Sequence, residues 1–297
     1  MPHRSEGFSR RALLASGLAA AAWPASAAQV SAFERQARAL EARAGGRLGF
    51  WGNQLGGDNL FGWRENERFR MCSTFKSLAV AAVLARVDRG HERLERWIPY
   101  GPSDLQPYAP VTKANLAKGG MTLGDLCAAA IELSDNTAAN LILASIGGPS
   151  GVTQLARSLG DKVTRLDRTE PELNRGAPGD PRDTTSPAAM VGLWERLLLR
   201  DGLSQTSQTR LTDWLEACKT GSGRLPAATP KGWVVGHKTG SGATTIGDVA
   251  VFTNPLLSSW PVMMAVYLDA PPSDAHDAII ADVGRLLLKS IVGEAAA

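Results

Sequence analysis

The sequence predicts an α/β fold of the α+β type, in which an antiparallel sheet built from both termini carries an inserted all-helical region. Strand-like segments occur near the two ends of the chain, within 47–63 and 233–268. Between them, apolar segments with helical spacing dominate. Strands grouped apart from helices favour this class over an alternating parallel fold. We therefore predict a sheet domain from 28–68 and 220–297, a helical domain from 69–219, and an active site in the cleft between them.

Residues 1–27 have the features of an export signal. Arg10 and Arg11 precede a short apolar core, Leu13–Ala22, and Ala25-Ser26-Ala27 fits a small-residue cleavage site. The apolar run is too short to cross a bilayer. We predict a periplasmic or secreted protein that is free of the membrane once the signal is cleaved. The sequence leaves open whether export follows the twin-arginine or the Sec route.

The composition is that of an ordinary globular protein and excludes several classes of partner. Hydrophobic residues occupy 44% and charged residues 21% of the 297 positions, which suffices for a large core. The formal charge of +3 lies mostly in the leader, so neither nucleic acid nor an anionic membrane is indicated. The three cysteines and four histidines lack metal-ligand spacing, so no metal, cofactor or His-based triad is predicted.

A helix and a hairpin open the mature chain. Apolar residues at helical spacing predict a helix over Ser31–Arg43. A Gly-Gly-Asp turn then joins two strand-like runs, Arg47–Asn53 and Asn59–Trp63. Beyond them Leu78–Ala85 is apolar on every side, which predicts a fully buried helix that stops at Gly90.

The inserted region continues with helices separated by polar turns. Residues 98–121 are rich in Pro and Gly and predict a long surface segment. Thr122 and Asp125 form a variant capping box, and Ser186-Pro187 is a strong helix start. Residues 165–183 have no period, and a loop of this length inside a compact domain is usually functional. The predicted helices are Leu126–Leu133, Thr137–Ile146, Gly151–Leu159, 187–200 and Ser204–Lys219.

Three strands and a helix complete the chain. β-branched and apolar runs predict strands at Trp233–Gly240, Asp248–Phe252 and Val262–Leu268. The last segment, Ala278–Ile291, has the spacing of an amphipathic helix. These strands would join the N-terminal hairpin in one sheet.

Ser73 and Lys76 lie three residues apart at the start of the buried helix, where they would share one face. A lysine without water has a lowered pKa and can act as a base, which makes a neighbouring serine a nucleophile. The helix N-terminus also offers N–H groups to a developing oxyanion. Taken alone, Ser73 and Lys76 are explained better as a helix cap and an outward-pointing lysine than as a catalytic pair. A catalytic role therefore depends on partner residues elsewhere in the chain.

Four short patterns occur in one order: Ser73-Thr74-Phe75-Lys76, Ser134-Asp135-Asn136, Glu170-Pro171-Glu172-Leu173-Asn174 and Lys238-Thr239-Gly240. Each alone is weak, because a polar turn or a solvated loop carboxylate explains it equally well. Together they resemble the class A serine β-lactamases, and the resemblance covers nearly all of the mature chain. It implies a monomeric hydrolase of β-lactams, acting on penicillins and cephalosporins without a cofactor.

The resemblance also implies roles for the matching polar residues. Ser73 would open the β-lactam ring and become acylated, with Lys76 as its neighbour and possible base. Ser134 would pass a proton to the ring nitrogen that leaves. Glu170 and Asn174 would position and activate the deacylating water, and whether Glu170 or Lys76 deprotonates Ser73 stays open.

Further residues are implied in binding. The N–H groups of Ser73 and Ser241 would form the oxyanion hole, and Arg168 with Asp183 would close the Glu170 loop as an ion pair. Arg224 would supply a guanidinium that the strand after Lys238-Thr239-Gly240 lacks. The residues implied in substrate contacts are Tyr108, Asn136, Arg224, Lys238, Thr239, Gly240 and Ser241.

Three departures and two alternatives complete the interpretation. Val80 stands where some members carry a disulfide partner for Cys127, so no bridge is expected there. Gly242 offers no cysteine to pair with Cys72, so a carbapenemase is not predicted, whereas Ser241 is compatible with cephalosporin turnover. The alternatives are a penicillin-binding D,D-peptidase and a penicillin-sensing domain, both of which would stay acylated.

Overall fold

The computed structural model describes residues 24–55, 57, 59–255 and 260–293. The strands within this part of the chain are β1 (Arg47–Gln54), β2 (Leu60–Trp63), β3 (Phe69–Arg70), β4 (Trp97–Pro99), β5 (Gly120–Thr122), β6 (Thr184–Thr185), β7 (Val234–Ser241), β8 (Thr245–Thr253) and β9 (Val262–Asp269). The α-helices of the same part are α1 (Pro24–Ala44), α2 (Phe75–Asp88), α3 (Pro110–Ala114), α4 (Leu123–Glu132), α5 (Asn136–Ser145), α6 (Ser150–Ser158), α7 (Pro187–Leu199), α8 (Gln205–Glu216) and α9 (His276–Val292).

A five-stranded antiparallel sheet joins the two ends of the chain. Its strand order is β2-β1-β9-β8-β7, so the N-terminal hairpin pairs with the last strand of the chain. The register sets Phe50 opposite Val266 across β1 and β9. Two further pairs, β3 with β6 and β4 with β5, lie in the helical region. The predicted α+β class and the sheet built from both termini are confirmed.

Two apolar cores cover the two faces of the sheet. Successive side chains of a strand point to opposite faces, and on β9 Met263 and Ala265 contribute to the core shared with α2, α4, α5 and α7. Met264 and Val266 contribute to the second core, which α1 and α9 complete. Because both faces are covered, β9 is apolar at nearly every position, as the sequence suggested.

Side-chain caps explain where several helices begin. The caps of α4, α5, α7 and α8 each accept the backbone N–H three residues on, which satisfies a donor that the first helical turn leaves free. These caps are Thr122, Asp135, Ser186 and Ser204. The starts predicted at Thr122 and Ser186 are confirmed, although α4 begins directly after its cap rather than at Leu126.

Two regions differ from the sequence-based expectations. The segment 98–121 is not one irregular loop. It contains the helix α3, and parts of the paired strands β4 and β5 lie at its two ends. The helix expected from Ser31 starts at Pro24, a residue type that fits a first helical turn. The predicted export signal lies outside the described residues except for 24–27. No helix of the described residues is long and apolar enough to cross a membrane.

Candidate active site

The segment that carries Ser73 lies against the end of edge strand β7. A Cβ added at Gly240 would lie 2.6 Å from the Met71 carbonyl oxygen and 3.2 Å from Cys72 Cβ. Only glycine permits so close a backbone approach. On its other side, Thr74 Oγ1 lies 3.0 Å from the Tyr267 hydroxyl on β9. The sheet therefore holds the serine segment from two strands.

Ser73 lies in a 3-10 turn, Cys72–Thr74, that leads into α2 rather than in the α-helix itself. The backbone at Cys72 is left-handed, with φ of 45°, which costs free energy for a residue other than glycine. The Ser73 hydroxyl does not cap a helix, because its Oγ donates to Glu170 Oε1 at 3.2 Å. The helix-cap interpretation of Ser73 is therefore wrong.

Lys76 is fully buried and points into the site. Its Nζ donates to the Ser134 carbonyl oxygen at 2.8 Å, to Ser134 Oγ at 3.2 Å and to Asn136 Oδ1 at 2.5 Å. Glu170 Oε1 lies 3.2 Å from the same nitrogen. Burial lowers the pKa of Lys76, and the charge of Glu170 opposes that change. The alternative of an outward-pointing lysine is excluded.

The Ser134-Asp135-Asn136 turn is fixed by its middle residue. Asp135 Oδ2 accepts the backbone N–H groups of Val111 and Thr112, each at 2.9 Å, which ties α3 to the start of α5. Ser134 has a left-handed backbone, with φ of 57°, and its hydroxyl oxygen accepts from the lysine described above. The strained turn thus presents the hydroxyl and the amide on either side of a buried carboxylate.

Glu170 is 2% exposed and is held at both its backbone and its carboxylate. Its N–H donates to Asn140 Oδ1 at 2.9 Å, and Asn140 Nδ2 donates back to the Glu170 carbonyl at 2.9 Å. Asn174 Nδ2 donates to Glu170 Oε2 at 2.6 Å. Asn174 Oδ1 is buried and accepts no hydrogen bond from the described residues. The interpretation of Glu170 as a solvated loop carboxylate is therefore wrong.

An ion pair joins the two ends of the Glu170 loop. Arg168 Nε donates to Asp183 Oδ2 at 2.6 Å, and Asp183 is fully buried with a left-handed φ of 58°. Asp183 Oδ1 also accepts the backbone N–H groups of Asp167 and Arg168, at 2.8 and 2.9 Å. The buried carboxylate is therefore well supplied with donors.

Removing this carboxylate should destabilise the protein. We expect Asp183→Ala to lower the free energy of unfolding by about 3 kcal/mol, because it leaves buried donors and Arg168 without their acceptor. Urea denaturation measures the change. Asp180→Ala is the matched control, since Asp180 lies on the same loop and pairs with Arg182, whose side chain is half exposed. Equal effects of the two changes would contradict a special role for Asp183.

Lys238 and Thr239 lie on β7 beside the serine segment. Lys238 Nζ is fully buried and donates to the Thr239 carbonyl oxygen at 3.2 Å. Burial is the main cause that lowers the pKa of Lys238 to about 8. Thr239 Oγ1 lies 2.6 Å from Thr220 Oγ1, so the two hydroxyls share a hydrogen bond. The charge of Lys76 also acts on Lys238, so two buried lysines lie close together and favour an anionic group near them.

Arg224 anchors the end of β7. Its Nη1 donates to the carbonyl oxygens of Gly240 and Gly247, at 2.9 and 3.0 Å, and its Nη2 donates to Ser241 Oγ at 2.9 Å. Its Nε donates to Asp277 Oδ1 at 2.7 Å. Four of the five guanidinium N–H groups are thereby engaged, and the fifth, on Nη2, donates to none of the residues that the structure describes.

The remaining predicted positions lie around this centre. Tyr108 is 50% exposed, and its carbonyl oxygen accepts the Asn136 N–H at 3.0 Å, so the ring stands at the open side of the turn. A Cβ at Gly242 would lie 3.0 Å from Cys72 Sγ. Cys72, Cys127 and Cys218 are free thiols.

Sequence reasoning missed two features of the site. Asn140 follows Asn136 by four residues on the same face of an otherwise apolar helix, a spacing that could have revealed it. His237 Nδ1 lies 3.0 Å from Asp248 Oδ1. The contact between His237 and Asp248 was missed because the pairing register that joins β7 to β8 cannot be read from the sequence.

The described part of the chain contains no group of three or more His, Cys, Asp or Glu side chains that could hold a metal ion. What the cleft offers is a serine hydroxyl, a desolvated ammonium, a held carboxylate and a second serine. These groups can form an ester on Ser73 and hydrolyse it, with Lys76 and Ser134 as hydrogen-bond donors beside the nucleophile.

Comparisons with known proteins agree over most of the chain. Residues 32–291 match the β-lactamase enzyme family. An ancestral class A β-lactamase is 52% identical, with a TM-score of 0.83 over 87% of this chain and 100% of that one. The last common ancestor of the class A β-lactamases of Gram-negative bacteria is 53% identical, with a TM-score of 0.84 over 87% and 99%. A putative class A β-lactamase, PenP from Rhodopseudomonas palustris, is 49% identical, with a TM-score of 0.84 over 88% and 100%.

The family match includes all the residues from Ser73 to Ser241 that build the site. The resemblance inferred from the four ordered motifs is thereby confirmed. The chain belongs to the β-lactamase enzyme family and is a class A β-lactam hydrolase.

Proposed function

We propose that the protein hydrolyses penicillins and cephalosporins through an acyl-enzyme on Ser73, which a water activated by Glu170 then cleaves. One observation carries the proposal: Glu170 Oε1 lies 3.2 Å from both Ser73 Oγ and Lys76 Nζ. A nucleophile, an ammonium and a carboxylate thus meet at one oxygen, so a proton can leave the hydroxyl as it attacks.

In acylation, Ser73 Oγ would bond to the β-lactam carbonyl carbon while the ring C–N bond breaks. The Ser73 proton would pass to Glu170 Oε1, 3.2 Å away, or to a neutral Lys76, whose nitrogen lies 3.2 Å from the same Glu170 oxygen. Ser134 Oγ would give its proton to the leaving nitrogen and recover one through Lys76 Nζ, 3.2 Å away. The N–H groups of Ser73 and Ser241 would stabilise the oxyanion.

In deacylation, Glu170 would take a proton from water as the water attacks the ester carbonyl. Asn174 Oδ1 has no protein donor among the described residues and can accept a hydrogen bond from the other O–H of the water. Asn174 Nδ2 holds Glu170 Oε2 at 2.6 Å, so the carboxylate and the amide oxygen are kept in a fixed relation. This pair favours turnover and argues against a D,D-peptidase or a sensor that stays acylated.

The polar groups around the nucleophile suit an anionic substrate with an amide side chain. Asn136 Oδ1 is occupied by Lys76, which leaves Asn136 Nδ2 to donate to the carbonyl of that amide. Lys238, Thr239, Ser241 and Arg224 would bind the substrate carboxylate. Gly240, whose Cβ position is filled by the serine segment, would contribute only backbone groups to the substrate site, and Tyr108 would border the cleft mouth.

Counting turnovers tests the proposal. The protein without its leader is mixed with a penicillin, with a chromogenic cephalosporin and with imipenem, and product is measured per enzyme. We expect many turnovers of the first two and a transient adduct on the Ser73 peptide. Stopping after one equivalent would identify a target or sensor instead. Fast turnover of imipenem would contradict the prediction that this is not a carbapenemase.

Arg224 should favour substrates that carry a free carboxylate over their uncharged esters. We expect Arg224→Gln to raise the KM for a penicillin about tenfold, because a charged hydrogen-bond donor is lost. The methyl ester of the same penicillin, which lacks that charge, should be much less affected. Arg285→Gln on α9, an exposed arginine paired with Asp282, is the control. An equal loss for acid and ester would mean that Arg224 acts only by holding β7.

We also propose that residues 1–27 direct export of the protein and are then removed, and that the mature protein acts as a monomer. The short apolar core after Arg10-Arg11 supports export. N-terminal sequencing of the secreted or periplasmic form tests the cleavage site. Replacing Arg10 and Arg11 by lysines should abolish export by the twin-arginine route and leave Sec export intact. Sedimentation measures the oligomeric state.

A further inference from the structure

A buried polar cluster is formed by side chains of β7, β8 and the segment after α8, and it takes no part in the proposed reaction. His237 is 3% exposed and Asp248 is fully buried, and His237 Nδ1 lies 3.0 Å from Asp248 Oδ1. The Cys218 side chain, which follows α8, lies close enough to the same ring for each group to shift the pKa of the other. A thiol, an imidazole and a carboxylate that orients the imidazole form the arrangement that activates cysteine nucleophiles.

The cluster is connected to the substrate site by hydroxyl groups. Cys218 Sγ lies 3.4 Å from Thr220 Oγ1, and Thr220 Oγ1 lies 2.6 Å from Thr239 Oγ1. Thr239 is one of the residues assigned above to the substrate carboxylate. Two hydrogen bonds therefore separate the thiol from that binding site, and a change at the sulfur bears directly on Thr220.

The three cysteines differ in access to solvent. Cys72 and Cys127 are completely buried, whereas Cys218 is only partly buried. Burial would raise the pKa of Cys218, but the hydrogen bond to His237 and the charge of Lys238 outweigh it and lower the pKa to about 7. Burial raises the pKa of Cys72 to about 12. The thiolate is the reactive form, so Cys218 should react first.

The two cationic side chains near Cys218, those of His237 and Lys238, both lower the pKa of its thiol. His237 and Lys238 come from β7, Thr220 from the segment after α8, and Asp248 from β8 stands behind the ring. Burial disfavours a charge on His237, but the nearby charge of Asp248 outweighs it and raises the pKa of the ring to about 10. The ring therefore stays protonated beside the sulfur.

We infer that Cys218 is a modification site for small disulfides and that its modification controls binding at the substrate-carboxylate site. The thiolate attacks one sulfur of the disulfide, a new S–S bond joins Cys218 to that half, and the other half leaves as a thiolate. The disulfide is the oxidant, so no further reagent is needed. The adduct displaces Thr220 and, through it, Thr239. This second step rests on the proposed function.

Oxidised glutathione is the probe. The native protein is incubated with it at pH 7.5, and peptide mapping by mass spectrometry follows each cysteine. We expect the adduct on Cys218 to form ~100-fold faster than on Cys72 or Cys127. The KM for a penicillin should rise in parallel with the adduct and return to its starting value when a reductant is added.

Two variants sharpen the test. Cys218→Ser should keep the starting activity and lose its sensitivity to glutathione. His237→Asn should slow adduct formation on Cys218 about tenfold, because the protonated ring no longer stabilises the thiolate. The mapping of the unchanged protein does not depend on whether either variant folds.

The outcomes separate the claims. No adduct on Cys218, or equal rates at the three cysteines, would overturn the modification site. An adduct on Cys218 that leaves the KM unchanged would overturn the link to Thr239. Adduct formation is read by mass, so it stands even if the unmodified protein hydrolyses no β-lactam, an outcome that would refute the proposed function alone.

Discussion

Replacing Glu170 by Gln should turn the protein into one that is acylated once and then stalls. The change removes the base beside Asn174 but keeps the size of the side chain. We expect turnover to fall by ~10³-fold. A burst of about one product per enzyme would precede the stall, because Ser73 and Lys76 remain in place. The burst amplitude with a chromogenic cephalosporin and the mass of the trapped adduct measure both parts.

The control for this experiment lies two residues further along the same loop. Glu172 is exposed, so Glu172→Gln removes the same charge without touching the carboxylate between Ser73 and Asn174. Its turnover should stay close to that of the unchanged protein. If Glu170→Gln turns over normally, its role in deacylation is wrong. If the variant shows no burst, Glu170 is needed for acylation as well, and Lys76 alone does not deprotonate Ser73.

Lys76→Met should abolish the first chemical step instead. The ammonium donates to two oxygens of Ser134 and to Asn136 Oδ1 and lies beside Glu170, so its loss deprives these groups of a charged donor. The Glu170 carboxylate would then be buried without its counter-ion. We expect acylation to slow by ~10³-fold. Stopped-flow measurement of adduct formation tests this directly.

Lys113→Met is the matched control, because Lys113 is exposed on α3. It should leave acylation unchanged. Acylation of Lys76→Met within about tenfold of the unchanged protein would contradict the role given to Lys76. Combined with the burst of Glu170→Gln, the result decides between the two candidate bases: a fast burst together with a slow Lys76→Met assigns the proton of Ser73 to Lys76.

Much of the fold was predictable because local signals and burial agreed. The apolar run of α2 predicted a buried helix, and Lys76 on it is completely buried. Thr122 and Ser186 predicted helix starts because a side-chain cap is a local interaction. The strands were recognisable from β-branched and apolar runs, and their grouping at the two ends of the chain indicated a single sheet.

Other features depend on contacts that no local signal encodes. The short pairs β4–β5 and β3–β6 were missed, since strands of two or three residues have too few positions to show a period. Ser73 was expected inside the helix, and the left-handed backbone at Cys72 moves it into the preceding turn. The cluster of Cys218, His237 and Asp248 depends on a cross-strand register that only the folded sheet defines.

The position of β9 in the centre of the sheet has a consequence for how the chain reaches its native state. Without residues 262–269, the sheet separates into two hairpins, β1–β2 and β7–β8, and a lone hairpin is at best marginally stable. During synthesis the N-terminal hairpin must therefore wait for the last strand to leave the ribosome. Pairing across more than 200 residues is slow to form. Chains interrupted before that strand expose β1 as an unpaired edge, which favours aggregation and degradation.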